Sequence, residues 1–171
     1  MEIPDSVTSI GDEAFYGCSS LDAAAFPESL ESIGLKAFYG CDSLRSVIIP
    51  ENVTAIGTNA FKNCTNLASV AVSEGNPSYC DISGVLFNKN ATKLLCYPQG
   101  RYGDFEIPDT ITSIDYEAFH NCTHLTEITI PDSVTVIAEN AFNDCDSLTC
   151  GSIAEVAALY TKRSTCGLED C

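Results

Sequence analysis

Basic residues are scarce in this chain. Only 8 lysines and arginines stand against 24 aspartates and glutamates, which gives a formal net charge of −16. A field of this sign repels nucleic acid and anionic membrane surfaces, and it favours basic partners or cations. We therefore expect a protein partner, preferably a basic one, and no nucleic acid.

The sequence also lacks long apolar runs. No stretch approaches the roughly 18 apolar residues that a membrane-spanning helix needs, so we expect no membrane insertion. The N-terminus, Met1 to Pro4, lacks the charged-then-apolar pattern of a secretory signal. Because the chain begins inside a repeat and is expected to be part of a longer protein, this second absence says little about location. Hydrophobic residues make up 45% of the 171 residues, so we expect a packed core.

The main feature that is present is an internal repeat of 23 residues. Leucines recur at this spacing: Leu21, Leu44 and Leu67, then Leu125 and Leu148. Tyr102 stands 23 residues before Leu125 and 35 residues after Leu67, so the repeat 67–101 is irregular and carries a 12-residue insertion. Five copies align: IPDSVTSIGDEAFYGCSSL, FPESLESIGLKAFYGCDSL, IPENVTAIGTNAFKNCTNL, IPDTITSIDYEAFHNCTHL and IPDSVTVIAENAFNDCDSL.

Each copy predicts the same path of the chain. The L-x-L step alternates with the period of a strand, and the proline after it cannot donate to a ladder and ends the strand. The segment Val53 to Ile56 predicts a second short strand, and Ala60-Phe61 predicts a helical or 3₁₀ turn. One repeat cannot bury its apolar side alone, so the copies must stack. Stacking aligns one phenylalanine of each copy into a buried spine: Phe15, Phe38, Phe61, Phe119 and Phe142.

The repeat string LxxLxLPxxVxxIGxxAFxxC resembles the BspA-like, or treponemal-type, leucine-rich repeats over nearly all of residues 3–150. The insertion GNPSY followed by GVLFNKNATKLLCYP is similar to the long irregular repeat of that family. The resemblance implies a right-handed solenoid that is used for adhesion and protein binding, mostly on microbial surfaces. Asp115 and Ala138 depart from the pattern by replacing its usual glycine, so we expect that this position does not always require positive φ.

We interpret the chain as one mainly β leucine-rich-repeat domain spanning residues 1–171. Within the irregular repeat 67–101, residues 84–97 predict a hairpin that projects from the solenoid. Ser152 and Glu155 form a capping box before an apolar helical face, so residues 152–171 predict a C-terminal capping helix. We expect a monomer.

Half of the ten cysteines occupy a single repeat position: Cys18, Cys41, Cys64, Cys122 and Cys145. Stacked side chains at one position have parallel Cβ vectors, which make poor disulfide geometry, so we predict buried thiols there. Outside the column, Cys80 with Cys96, and Cys166 with Cys150 or Cys171, are the plausible disulfides.

No arrangement of residues argues for catalysis, and we predict no enzyme, no cofactor and no metal. His120, Cys122 and His124 invite a zinc interpretation. However, other copies of the repeat carry Tyr16 or Ser20 at the positions of the two histidines, so those positions are variable and solvated.

The concave sheet is where leucine-rich repeats usually bind, and we expect its strands to centre on Val47, Val70, Phe105 and Ile128. The candidate partner-binding residues face outward from these strands: Asp104, Glu106, Glu127, Thr129, Ile48 and Ser46. Asp104 beside Glu127 places like charges opposite each other, which costs stability unless a partner compensates. The alternative is a generally acidic, solvated surface.

A second acidic feature occupies the repeat position after the proline, which the irregular repeat replaces with Ser73: Asp5, Glu28, Glu51, Glu74, Asp109 and Asp132. We expect each carboxylate to accept backbone N–H groups of its own turn. Binding of a cation or a basic partner is the alternative.

Two functions remain open from the sequence. The first is a non-catalytic binding or adhesion module of a microbial surface or secreted protein, which places the chain outside the cell. The second is an intracellular scaffold or regulatory module that uses the same surface in the cytoplasm.

Overall fold

The computed structural model describes residues 1–149 of the chain, and these residues form a mainly β solenoid with three walls. The first wall contains the strands that were expected to be concave. It holds β3 (Ser46–Ile49) with β5 (Ser69–Val72), and β9 (Gly103–Glu106) with β11 (Leu125–Thr129), both as parallel pairs. The prediction of strands around Val47, Val70, Phe105 and Ile128 is confirmed.

The second wall consists of two sheets. The strands β1 (Ser9–Ile10), β2 (Ser32–Ile33) and β4 (Ala55–Ile56) form a parallel sheet. The other sheet has the order β12-β10-β8-β7-β6, from β12 (Val136–Ile137), β10 (Ser113–Ile114), β8 (Lys93–Cys96), β7 (Val85–Asn88) and β6 (Tyr79–Ile82). The short strands of the regular repeats therefore lie where the V-x-x-I part of the repeat, Val53 to Ile56 in the third copy, predicts them.

The third wall consists of turns, and the prediction of a helical or 3₁₀ segment here is wrong. No helix occurs between residues 1 and 149. Each turn contains two residues in the left-handed region, such as Glu13 at φ 56° and Gly17 at φ 69°, which a helix cannot include. Adjacent turns are instead joined by a backbone ladder, in which the Phe15 N–H donates to the Ala37 carbonyl at 2.8 Å and the Phe38 N–H to Ala60 at 2.8 Å.

The glycines of the I-G step are required by close packing and not by their φ angles. A Cβ on Gly34 would lie 2.5 Å from the backbone nitrogen of Asp12, and one on Gly57 would lie 2.3 Å from that of Leu35. Neither glycine has a positive φ. The expectation that this position does not demand positive φ is confirmed, and the left-handed residues stand two and six positions later.

The aromatic spine is present, with one interruption. Phe15, Phe38 and Phe61 stack with ring centroids 5.0 and 5.6 Å apart. Tyr97 then takes the place of a phenylalanine, stacking at 5.0 Å on Phe119, which in turn lies 4.8 Å from Phe142. The described core accordingly divides into two clusters, one before and one after the irregular repeat.

The predicted hairpin does not project from the solenoid. β7 pairs antiparallel with β8, but β8 also pairs in parallel with β10, so the hairpin is part of the second wall. Leu86 is buried in the N-terminal core cluster, while Val85 and Phe87 are buried in the C-terminal one. The strand β7 therefore lies between the two clusters and separates them, and for this reason both of its faces are apolar.

The Cys80–Cys96 disulfide was also predicted wrongly. Cys80 is opposite Phe87 and Cys96 is opposite Leu86, so the two cysteines lie on either side of β7, each in a different core cluster. Both are free thiols, as are the five cysteines of the repeat column. Four of these five are buried as predicted, but Cys18 is exposed. The other proposed disulfide partners and the capping helix 152–171 lie outside the described residues. The right-handed sense of the solenoid remains a prediction.

One detail of the alignment is wrong by a single residue. The 23-residue spacing places Tyr102 level with Leu125. In the structure Gly103 pairs with Leu125, and the register then shifts so that Asp104 pairs with Glu127, which leaves Thr126 as a bulge. Tyr102 is 76% exposed as a result.

Candidate partner-binding surface

The acidic part of the first wall has the geometry that the sequence predicts. Asp104 lies directly opposite Glu127, and Glu106 lies opposite Thr129, in the parallel pair β9–β11. All four side chains are exposed, while Ile128 between them is buried. No salt bridge among the described residues reaches these three carboxylates. The surface thus presents three unpaired negative charges on two adjacent strands.

The other two predicted residues lie in a separate sheet. Ser46 is opposite Ser69 and Ile48 is opposite Ala71 in the β3–β5 pair. Ile48 is 61% exposed, which makes it an apolar contact point on an otherwise small-residue surface. The sequence predicted a single continuous sheet, but the structure places the six residues in two pairs of strands.

The turn between β6 and β7 lies against β5, on the side away from β3. The Gly84 carbonyl accepts the Val70 N–H at 2.8 Å, and the Asp81 carboxylate accepts the Val72 N–H at 2.9 Å. On the other side, the Arg101 guanidinium donates to the Ser83 carbonyl at 2.5 Å. The insertion therefore connects the two halves of the first wall.

A stacked aromatic pair borders the acidic strands. Tyr102 stacks on His124 with ring centroids 4.2 Å apart and an interplanar angle of 18°. Tyr102 precedes β9 and His124 precedes β11, so both rings lie at the start of the strands that carry the acids. Sequence reasoning missed this pair because the 23-residue spacing placed Tyr102 level with Leu125 and not beside His124.

The six acids at the repeat position after the proline are exposed, but they do not bond as expected. No hydrogen bond from a described residue reaches any of the six carboxylates, so the prediction of bonds within their own turns is wrong. The reason lies in the backbone, where the proline carbonyl already closes the turn. The Val7 N–H donates to Pro4 at 3.0 Å, and the Leu30 N–H donates to Pro27 at 3.0 Å.

The histidines do not converge on a common point. His120 Nε2 lies 3.3 Å from the Asp144 carboxylate, whereas His124 stacks on Tyr102. Burial and the nearby Lys62 charge lower the pKa of His120. Within residues 1–149, no group of three potential ligand side chains is arranged to hold a metal ion.

The column cysteines have a structural function that the sequence did not reveal. Cys41 donates a weak S–H bond to the Phe15 carbonyl at 3.2 Å, and Cys64 repeats this with Phe38 at 3.1 Å. Each thiol thus satisfies a backbone carbonyl of the preceding repeat. Burial raises the pKa of Cys41 to about 11 and that of Cys96 to about 12, so these thiols are poor nucleophiles.

A cleft in the third wall was not predicted. It lies between residues 56–62 on one side and residues 95–99 and 115–120 on the other, with a volume of about 310 Å³. Lys62 Nζ lies 2.5 Å from Glu117 Oε2, and Asn59 Nδ2 donates to the same oxygen at 2.8 Å. Burial tends to raise the Glu117 pKa, but these bonds and the Lys62 charge lower it below its ordinary value. The only sequence signal was Lys62, which stands where earlier repeats have tyrosine.

The stacked walls, the 23-residue period and the outward-facing strands define a leucine-rich-repeat solenoid. Residues 1–99 and 95–162 match the sequence profile of the BspA type leucine rich repeat region, in six copies. The chain belongs to this family. In the part of the chain that the structure describes, no helix has the length and apolarity to cross a bilayer.

Solved structures of bacterial proteins share the fold. A leucine rich cell surface protein from Faecalibacterium prausnitzii is 38% identical with a TM-score of 0.78, and the match covers 86% of this chain and 39% of that protein. A leucine-rich repeat protein from Eubacterium ventriosum is 27% identical with a TM-score of 0.74, covering 86% and 52%. This chain thus spans about half or less of these proteins. No curated protein matches it.

Proposed function

We propose that the chain is a non-catalytic protein-binding module of a bacterial cell-surface or secreted protein, and that it serves in adhesion. Two findings support a location at the bacterial cell surface: membership of the BspA-type family, and the likeness to a cell surface protein from Faecalibacterium prausnitzii. Repeat solenoids offer long rigid surfaces that suit recognition of other proteins.

The observation that carries the proposal is the unpaired acidic patch of the first wall, formed by Asp104, Glu106 and Glu127. Like charges on directly opposed residues cost stability, and a repeat scaffold accepts almost any residue at an outward position. A basic segment of a partner would remove this repulsion. The partner's charge would also be attracted by the negative field of the whole chain.

The experiment compares wild type with Asp104→Asn/Glu127→Gln in a pull-down from extracts of host or neighbouring cells. We expect the double variant to lose partners that the wild type recovers, and to be slightly more stable without a partner, by about 0.2–1 kcal/mol. Equal recovery of the same partners by both proteins would reject the acidic patch as the binding site.

A matched control separates the patch from net charge. Glu28→Gln/Glu51→Gln also removes two negative charges, and it removes them from exposed side chains that form no hydrogen bond with a described residue. This variant should keep the partners. Its loss of them would assign recognition to the acids at the repeat position after the proline.

An intracellular scaffold is the second candidate function, and the free thiols favour it. All seven described cysteines are unbridged, including the exposed Cys18. Free thiols persist in reducing compartments. Localisation of the full-length protein by surface-accessible antibody labelling of intact cells decides between the two functions, because an intracellular scaffold would be labelled only after lysis.

A further inference from the structure

The cleft in the third wall marks a place where the backbone ladder of the turns is open. In three other repeats the same three N–H groups donate to carbonyls of the following turn. These groups belong to residues 13, 15 and 17, to residues 36, 38 and 40, and to residues 117, 119 and 121, at 2.7–3.3 Å. The equivalent groups of the third turn are those of Asn59, Phe61 and Asn63. None of them has a hydrogen-bond partner among the described residues.

The ladder is open because the irregular repeat directs its backbone elsewhere. Tyr97 donates forward to Ala118 at 2.8 Å, and the Gln99 side chain, in place of a backbone group, donates to the His120 carbonyl at 2.6 Å. The Leu94 carbonyl accepts the Asp115 N–H, which is the same second-wall bond that Ile10 makes with Gly34. The Pro98 carbonyl accepts the Arg101 N–H within its own segment.

The two walls of the cleft are bridged by side chains. Glu117 is bound by Lys62 and Asn59 from the opposite wall, so the two sides are joined by an ion pair and a hydrogen bond. Lys62 and Glu117 thus compensate each other's charge within the cleft. The apolar side chains of Phe61, Leu86 and Leu95 line the same space.

We propose that this cleft binds a backbone segment of a partner protein, two or three small residues long, whose carbonyls replace the missing acceptors of Asn59 and Phe61. These two residues line the cleft, and their N–H groups, on alternate residues, match two carbonyls on alternate residues of such a segment. Inside this molecule the same groups of other repeats bind backbone carbonyls, so a backbone carbonyl is their natural acceptor. Addition of an extended segment to an open backbone edge is an established mode of peptide recognition. The cleft volume of about 310 Å³ suits a short segment with small side chains.

This site is separate from the acidic patch and does not depend on it. The Asp104→Asn/Glu127→Gln variant should bind a short peptide in the cleft as the wild type does. Failure of one proposal therefore leaves the other standing.

The test uses acetyl-Ala-Ala-Ala-N-methylamide as the probe and backbone amide NMR as the readout. In the free protein, the amides of Asn59, Phe61 and Asn63 should exchange with solvent at least roughly tenfold faster than the bonded amides of Phe38 and Phe119. The peptide should shift the Asn59 and Phe61 resonances saturably and slow the exchange of these two amides, which line the cleft. Glucose, a neutral molecule without peptide carbonyls, should leave them unchanged.

Two matched variants locate the binding. Thr58 is exposed and lines the cleft, so Thr58→Trp should abolish the peptide-induced shifts. Leu35 occupies the same position one repeat earlier, beside a closed rung, so Leu35→Trp should preserve them. Three results would overturn the proposal: slow exchange of the three amides in the free protein, no saturable shift up to the solubility of the peptide, or equal loss of binding in both variants.

Discussion

Phe38 and Phe61 occupy the same repeat position, but their surroundings differ. Phe38 is fully buried between two stacked rings, those of Phe15 and Phe61. Phe61 stacks on one side only, because its other side borders the cleft. The stabilisation that each ring provides should therefore differ within one aligned column.

Truncation of these rings tests the packing. Phe38→Ala should lower the free energy of unfolding by about 3–5 kcal/mol, because it opens a cavity in the middle of the spine. Phe61→Ala should cost about 1 kcal/mol less, since solvent in the cleft can occupy part of the vacated space. Thr54→Ala, at an exposed position, should change stability by less than about 0.5 kcal/mol. Urea denaturation measures all three, and equal losses for Phe38→Ala and Thr54→Ala would contradict the assignment of inner and outer faces.

At the scale of elements, the ion pair across the cleft replaces the missing backbone bonds between the third turn and the rest of the wall. The side chains of Lys62 and Glu117 are only 12% and 9% exposed, so solvent screens their attraction weakly. The Lys93–Asp115 pair nearby is 41% and 35% exposed and should contribute less.

Glu117→Gln should therefore reduce stability at pH 7 by about 1–3 kcal/mol, the range for hydrogen bonds to charged groups. The Glu117 pKa is lowered in the folded protein, so its contribution is complete above the ordinary value of 4.5 and is lost as the pH falls through the folded pKa. The difference between wild type and variant should shrink below about pH 4.5. Asp115→Asn is the control and should cost less than about 1 kcal/mol. Chemical denaturation across pH measures both, and a difference that does not change with pH would contradict the assignment.

The repeat allowed the strands of the first wall and the buried phenylalanines to be predicted, because a fixed period gives every copy the same environment. The same period cannot predict how an insertion pairs with its neighbours, because the inserted residues have no counterpart in the other repeats. The apolar sequence of β7 was read as one strand of a projecting hairpin, but it is apolar on both faces because it lies between two cores. The bulge at Thr126 likewise leaves no sign in the leucine spacing, so Tyr102 was misplaced by one residue.

The candidate site was predicted in part for the same reason. Asp104 and Glu127 are neighbours because parallel strands at equal repeat positions must pair. The cleft could not be predicted, because it results from contacts between Lys62 and Glu117, which are 55 residues apart. Only the folded insertion brings these two residues together.

On the scale of the whole molecule, two stacks of repeats share one inserted strand, β7, as their boundary. The first wall follows this division, with a small-residue half around Ile48 and an acidic half around Asp104 and Glu127. The net charge of −16 has the same sign as the acidic half, so long-range attraction and local contact favour the same kind of partner.

The most direct test of the acidic patch as the recognition surface is the affinity for a lysine octapeptide, measured by titration over a range of salt concentrations. Wild type should bind more weakly as salt rises, because the contacts are between exposed charges. Asp104→Asn/Glu127→Gln should bind more weakly than wild type at low salt, while Glu28→Gln/Glu51→Gln, with the same net charge, should bind nearly as the wild type does. Equal weakening in the two variants would mean that the peptide responds to total charge alone, and it would contradict the proposed site.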